Sequence, residues 1–472
     1  MFIINELNKI VNEEVISFHM PGHKKGQVYK KLGYKDILKN LYKMDTTEIL
    51  GTDNLHFPEG IIKNSQKKAS RVFKSDYTCY LVNGSSCGIQ SAIMSVCSPK
   101  SKIITNRDCH QSVINGYILG DIDIEYVPCE ISEETNILKG ISISNVIDII
   151  DKNLDAKAVL LTYPTYYGMT YDLEYICNYA HSKKMVVIVD EAHGAHLGLS
   201  ERLPKTALEQ GADIVVQSTH KTLPAFTQSS MIHIQGDRVD IDKILNMLRI
   251  TESSSPSYLL LSSLELAVDI YENKGKELME ELLNNIITFK NKVDSNINIY
   301  DTNDKTKIFI SSKNMGLTGY ELENILRNKY NIQVELSNYY GVLLICTIGN
   351  TVEDFSSLET ALNNIVKEDF KFEKLENKKY PVVIPKKILT PREAFYKTKK
   401  SVKIYDSIGK VCGECIVPYP PGISVISPGE VISKEIIDYL MFCHSKGMIV
   451  SGLKDVDLNF IQIIDLEDIQ KL

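Results

Sequence analysis

The chain has 472 residues, 43% of them hydrophobic and 24% charged, enough to bury proper cores in about three domains of ordinary size. This composition excludes global disorder and a fibrous protein, and the formal net charge of −7 excludes the basic excess behind sequence-independent nucleic-acid binding, so no nucleic-acid partner is expected. The ten cysteines form no dense cluster, no apolar run reaches membrane-span length, and the N-terminus lacks a basic stretch followed by an apolar core; the expectation is a cytoplasmic protein with no membrane partner.

Residues 1–50 form an N-terminal segment of short helical stretches around His19-Met20-Pro21-Gly22-His23-Lys24-Lys25-Gly26, where Pro and Gly forbid a regular element and predict an ordered or ligand-facing loop. Residues 51–245 read as a large α/β domain. Its apolar runs are Cys79–Val82, Lys102–Thr105, Ile124–Val127, Ala158–Thr162, Met185–Asp190, Asp213–Gln217 and Met231–Ile234. They lack polar alternation and most are separated by helix-length segments, which predicts a mostly parallel sheet buried on both faces. Residues 246–370 read as a smaller α/β domain: a long helix from Pro256 to Val293, strands near Lys307–Ser311 and Val342–Thr347, and a helix Gly319–Tyr330. A linker, 371–385, leads to a C-terminal domain, 386–472.

Two predicted strands end in chemistry. Val186-Val187-Ile188-Val189-Asp190-Glu191-Ala192-His193 puts a carboxylate where a strand emerges, and Ile214-Val215-Val216-Gln217-Ser218-Thr219-His220-Lys221 ends in a hydroxyl, an imidazole and a lysine. Open α/β sheets bind ligands outside the carboxyl ends of their strands. An acid and a lysine at neighbouring strand ends suit pyridoxal 5'-phosphate: the lysine forms a Schiff base and the acid keeps the ring nitrogen protonated. Taken singly, Asp190 also reads as a helix cap and Lys221 as a surface lysine. Leu81-Val82-Asn83-Gly84-Ser85-Ser86 runs from a strand into a helix start, offering backbone N–H groups and hydroxyls to an anion, or simply capping the helix. It is neither a dinucleotide nor a P-loop fingerprint. His110 follows the next strand, where it can stack on a planar cofactor or fill a loop. Cys412 and Cys415 lack a second pair to complete a metal set, so no metal is expected. Cys87 and Cys109 read as buried small residues or as oxidisable thiols near the cofactor.

With these segments in order, together with Ser17-Phe18-His19-Met20-Pro21-Gly22-His23-Lys24, Pro418-Tyr419-Pro420-Pro421-Gly422 and Pro428-Gly429-Glu430, the chain resembles the bacterial ornithine/lysine/arginine decarboxylases. These are fold-type-I pyridoxal-phosphate enzymes related to aspartate aminotransferase, and the likeness runs from about residue 15 to 432. The resemblance implies decarboxylation of a basic amino acid to CO₂ and agmatine, cadaverine or putrescine, with arginine or lysine favoured. It assigns Lys221 to the Schiff base, Asp190 to the pyridinium, His110 to ring stacking, and Ala192 to packing beneath the cofactor. Gly84, Ser85, Ser86, Ser218 and His220 fall to the phosphate, Thr165 to the phenolic oxygen, and His193 to a place beside the cofactor or the substrate carboxylate. It also implies a site built between two subunits, hence a homodimer or a dimer-based oligomer, with Ser253 reaching the partner's phosphate or capping a helix. The receiver-like wing domain of the large enterobacterial members has no counterpart here. A basic substrate needs an acid at its far end; the candidates are Glu430, Glu252 and Asp53, each of which also reads as a cap or a surface carboxylate. The competing readings are an aminotransferase, whose substrate carboxylate commonly meets an arginine (beyond residue 300 only Arg327 and Arg392 are available), another fold-type-I enzyme acting on a different bond, and a catalytically silent relative that binds a regulator or partner.

Overall fold

A computed structural model describes residues 1–34, 39–132, 137–368, 380–381, 384–419 and 424–465. Most of the expected linker and the Pro-Pro-Gly of the C-terminal motif lie outside the described residues.

The chain opens with an exposed helix, Phe2–Asn12, and strand β1, Ile16–Phe18. All seven apolar runs become strands of one sheet: β2 (Tyr77–Leu81), β3 (Lys102–Asn106), β4 (Asp123–Val127), then, after a hairpin of β5 (Cys129–Ile131) and β6 (Leu138–Ile141), β7 (Ala158–Thr162), β8 (Val186–Asp190), β9 (Ile214–Gln217) and β10 (Ser230–Ile234). The order across the sheet is β2-β10-β9-β8-β7-β3-β4, and only β10 runs antiparallel to its neighbours. The absence of polar alternation has a direct cause. Val159, Leu161, Val187, Val189 and Val215 pack into one apolar core, while Ala158, Leu160, Ile188, Ile214 and Val216 pack into a second core on the other face.

A four-stranded antiparallel sheet follows, ordered β11 (Asn298–Tyr300), β12 (Lys307–Ser311), β15 (Gly341–Ile345), β14 (Leu336–Asn338). Strand β13 (Ile332–Val334) pairs in parallel with β1, so the N-terminal segment is tied to this part of the chain. The predicted single helix from Pro256 to Val293 is Tyr258–Ile270 and Lys276–Lys292 joined by a π-helical turn, Tyr271–Gly275. The turn sits where the backbone comes close to another segment: a Cβ on Gly275 would lie 2.5 Å from Leu199 Cδ2. Helix Gly319–Tyr330 has the predicted bounds and starts with a capping box, Thr318 and Glu321. The C-terminal part contributes the strand pairs β16 (Lys399–Lys403) with β19 (Phe460–Ile464) and β17 (Val417–Tyr419) with β18 (Ile449–Ser451), plus the helix Lys434–Ser445. No described helix is long and apolar enough to cross a membrane.

Candidate active site

The carboxyl ends of β3, β7, β8 and β9 open into a cavity of about 370 Å³ lined by Ser85, Asp108, His110, Thr165, Asp190, Ala192, His193 and Lys221. Register brings them together: Asp190 is paired with Thr162 of β7 on one side and Val216 of β9 on the other, so the acid and the lysine leave adjacent strands at one level. Val417 and Ser451 of the C-terminal strand pair and Met20 of the N-terminal loop complete the wall.

The N-terminal loop is anchored on both sides. Gly22 N–H donates to His220 O at 2.7 Å and Gly22 O accepts from Thr347 Oγ1 at 2.6 Å. A Cβ on Gly22 would stand 2.5 Å from Leu223 O, so glycine alone permits this approach to the lysine-bearing turn. The buried Lys24 donates to Ile345 O at 2.9 Å, binding the same loop to β15.

Lys221 sits in a one-turn helix, Thr219–Thr222, directly after β9. Its Nζ is 3.1 Å from His193 Nε2, and His193 Nδ1 is 3.0 Å from Nζ of Lys307, a fully buried lysine at the start of β12. Burial holds both lysines below their ordinary range, Lys307 at about 8, and burial followed by the nearby Lys221 and Lys307 charges holds His193 well below its own. A neutral imidazole has one donor and one acceptor, so this row of three bases can share and pass protons but cannot be fully protonated at low cost. The Tyr166 ring meets His193 edge-on at 4.6 Å, and Tyr166 Oη donates to Glu335 Oε1 at 2.8 Å.

Asp190, 4% exposed, accepts from Ala192 N–H at 3.2 Å on Oδ1 and leaves Oδ2 without a hydrogen bond to any described residue. His110 caps the helix Gln111–Gly120 by accepting from Ser112 N–H at 3.1 Å, which fixes the ring in the cavity wall. At the other end, the helix Gly84–Val96 begins at Gly84, whose φ of +77° makes the tight exit from β2 that a side chain would strain. Ser218 Oγ donates to Ser85 Oγ at 2.7 Å; Ser86 lies in the same first helical turn. His220 is fixed by its Nδ1 contact to Ser229 O at 2.9 Å, and burial lowers it to about 4. Thr165 Oγ1 accepts from Met169 N–H at 3.1 Å. These groups fit pyridoxal phosphate: a buried amine, an acid with an open oxygen, an aromatic ring in the wall, and a helix start with hydroxyls suited to a phosphate.

Three expectations are corrected. Glu430 does not line the cavity: it forms a bidentate ion pair with Arg107, at 2.5 and 2.7 Å, and accepts from Ser427 N–H at 2.8 Å. Glu252 accepts from Val82 N–H at 2.8 Å and braces the turn before Gly84 from behind. Asp53 organises its own loop, accepting from the N–H groups of Asn54, Glu59, Gly60 and Ile62. All three are spent on backbone or buried charge. Ser253 is exposed, off the cavity, and accepts from Ser255 N–H at 3.2 Å. Cys87 and Cys109 are buried, with burial pushing both thiols up, which makes them poor nucleophiles. Cys412 and Cys415 donate separately, to Glu414 O and to Gln111 Oε1.

Sequence reasoning missed Lys307, Tyr166, Glu335 and Asp108. Lys307 left one trace, a lysine at the head of the otherwise apolar Lys307-Ile308-Phe309-Ile310; its contact with His193 joins segments 114 residues apart.

Comparison with known proteins agrees over nearly the whole length. Residues 3–313 match the Orn/Lys/Arg decarboxylase major domain and residues 373–455 the C-terminal domain of the same family. The chain is 34% identical to an arginine decarboxylase of Bacillus subtilis, covering 97% of this chain and 96% of that one, and 33% identical to one of Bacillus anthracis, covering 95% and 94%. Among solved structures, the lysine decarboxylase LdcF of Francisella novicida superposes with a TM-score of 0.78 at 23% identity, over 94% of this chain and 78% of that one. The fold is thus that of the fold-type-I pyridoxal-phosphate enzymes, and the chain belongs to the Orn/Lys/Arg decarboxylase family.

Proposed function

We propose that the protein decarboxylates a basic L-amino acid, arginine first, using pyridoxal 5'-phosphate held by the residues of this cavity. The observation that carries the reading is the juxtaposition of Lys221, His193 and Asp190 at the ends of adjacent strands. Relatives named arginine decarboxylase, matched end to end, support arginine over lysine and ornithine.

When bound, pyridoxal phosphate supplies an electron-poor conjugated ring that accepts the electron pair released as CO₂ leaves. Lys221 would hold its aldehyde carbon, Asp190 its ring nitrogen, His110 and Ala192 its two faces, Thr165 its phenolic oxygen, and Gly84, Ser85, Ser86, Ser218 and His220 its phosphate. Asp190 does this from a fixed, nearly dry position, where a carboxylate opposite a ring cation is worth far more than in water. His193 and Lys221, 3.1 Å apart, are placed to deliver the proton that replaces CO₂ at the substrate's Cα. Lys307 behind His193 can restore that proton without solvent entering.

The aminotransferase reading loses its anchor: Arg327 pairs with Glu13 and Asn331, and Arg392 donates to Ile118 O and Leu119 O. A homodimer is supported by the exposed apolar side chains of Phe2, Ile3, Leu7 and Val11 on a helix with no buried residue; Ser253, exposed and off this cavity, would face the partner's site. The test is an assay of CO₂ and amine from arginine, lysine and ornithine separately. Agmatine as the main product is expected; a keto acid in place of an amine would overturn the reading.

A further inference from the structure

We propose that Asp108 reads the cationic end of the substrate, an inference that rests on the decarboxylase reading above. The described wall of the cavity carries two carboxylates, Asp190 and Asp108. Asp190 stands among the cofactor residues beside Lys221. Asp108 lies two residues beyond β3 and is 9% exposed.

Its side chain is half satisfied. Oδ1 accepts from Asn106 Nδ2 at 2.6 Å and from Cys129 Sγ at 2.8 Å, which fixes the carboxylate plane. Oδ2 has no hydrogen bond to any described residue. Nor does the protein supply a counter-charge from next door: Arg107 gives both terminal nitrogens to Glu430, adds a bond to Val425 O at 3.2 Å, and stacks its guanidinium 4.5 Å from the Tyr126 ring centre. A buried carboxylate that is rigidly held on one oxygen and open to a cavity on the other is costly unless a cation completes it. A guanidinium or ammonium on the substrate does so, with a charge-assisted hydrogen bond to Oδ2. The neighbouring wall suits the connecting methylenes, since Leu138, Pro164, Tyr166 and Tyr167 present apolar and aromatic surface. Asp108 therefore acts on specificity and binding, and takes no part in bond breaking.

The experiment compares Asp108→Asn and Asp108→Glu with the wild-type holoenzyme, using agmatine and pentylamine as calorimetric probes and arginine, lysine and ornithine as substrates. Asparagine keeps an oxygen for Asn106 and Cys129 while removing the charge. It is expected to weaken agmatine binding about 30-fold or more, to leave pentylamine, which lacks the guanidinium, within about twofold, and to raise KM for arginine with little change in kcat. The cofactor absorbance should be unaltered. A parallel loss of both probes, or unchanged agmatine binding, would overturn the proposal. Should Asp108→Asn lose the cofactor band through misfolding, Asp108→Glu decides: its longer side chain must shift preference from arginine toward ornithine, and an unaltered preference overturns the proposal. If wild type makes amine from one of the three but Asp108→Asn keeps its discrimination between the probes, only this proposal fails; if wild type makes no amine, the reaction reading fails and takes the proposal with it.

Discussion

Charge is buried in two neighbouring places at the strand ends, and the two are finished differently. Behind β3, Arg107 and Glu430 close on each other through two parallel hydrogen bonds, with Val425 O and Ser427 N–H filling the remaining positions. Beyond β8 and β9, Lys221, His193 and Lys307 stand nitrogen to nitrogen with no carboxylate among the described residues hydrogen-bonded to any of their side chains, and Asp190 keeps an oxygen open. The first arrangement joins the C-terminal part to the large sheet. The second turns the Ser85 hydroxyl, the Asp190 carboxylate and the Lys221 amine toward one cavity, a set suited to a phosphate, a ring cation and an aldehyde carbon.

Changes at the two places must therefore have opposite consequences. The largest effect is expected for Lys221→Ala: amine production falls by about a thousandfold or more while the fold survives, because the nitrogen it leaves without a partner, His193 Nε2, belongs to a residue lining the cavity, where water can replace the amine. Circular dichroism beside an amine assay checks this, and activity close to wild type would erase the distinction. Glu430→Gln strands the Arg107 guanidinium and is expected to cost about 3–5 kcal/mol of stability in denaturant titration. KM for arginine in the enzyme that remains folded should stay within about twofold, since Glu430 does not face the cavity. A raised KM with unchanged stability would return Glu430 to the substrate site.

The smallest effect concerns pH. Burial lowers Lys307 from 10.5 to about 8. Between these values the unfolded chain holds a proton that the folded one has released, so stability rises from pH 8 to 10.5, and below pH 8 the full penalty of the buried charge is present. Lys24, also near 8, adds a similar slope. Lys307→Met should be relatively stabilised at pH 7 and lose part of the rise in thermal midpoint, the remainder belonging to Lys24, Lys221 and the other lysines that burial lowers. A rise of undiminished size would mean that Lys307 is not the buried cation described.

The sheet was legible because each of its strands sends apolar side chains into both cores, which writes an apolar run into the chain without reference to neighbours. Asp190 and Lys221 were legible for a related reason: each is the polar residue that ends or closely follows such a run. The three-residue strands β11, β13 and β14 are too short to carry a period and owe their pairing to tertiary contacts. The roles of the other carboxylates were not legible. Asp53 and Glu430 stand close to glycines and Glu252 ends a helix, positions no less suggestive than that of Asp190, and only their partners in space separate a loop organiser, an ion pair and a turn brace from a site residue. Lys307 was hidden because its partner, His193, lies in the turn that follows a strand of the other sheet.

The central claim, that Lys221 carries the cofactor, is tested most directly by loading the protein with pyridoxal phosphate, reducing it with borohydride and mapping the modified peptide by mass spectrometry. A single phosphopyridoxyl group on Lys221 is the predicted result. Modification of Lys307 or Lys24 instead, or scatter over surface lysines with Lys221 untouched, would contradict it.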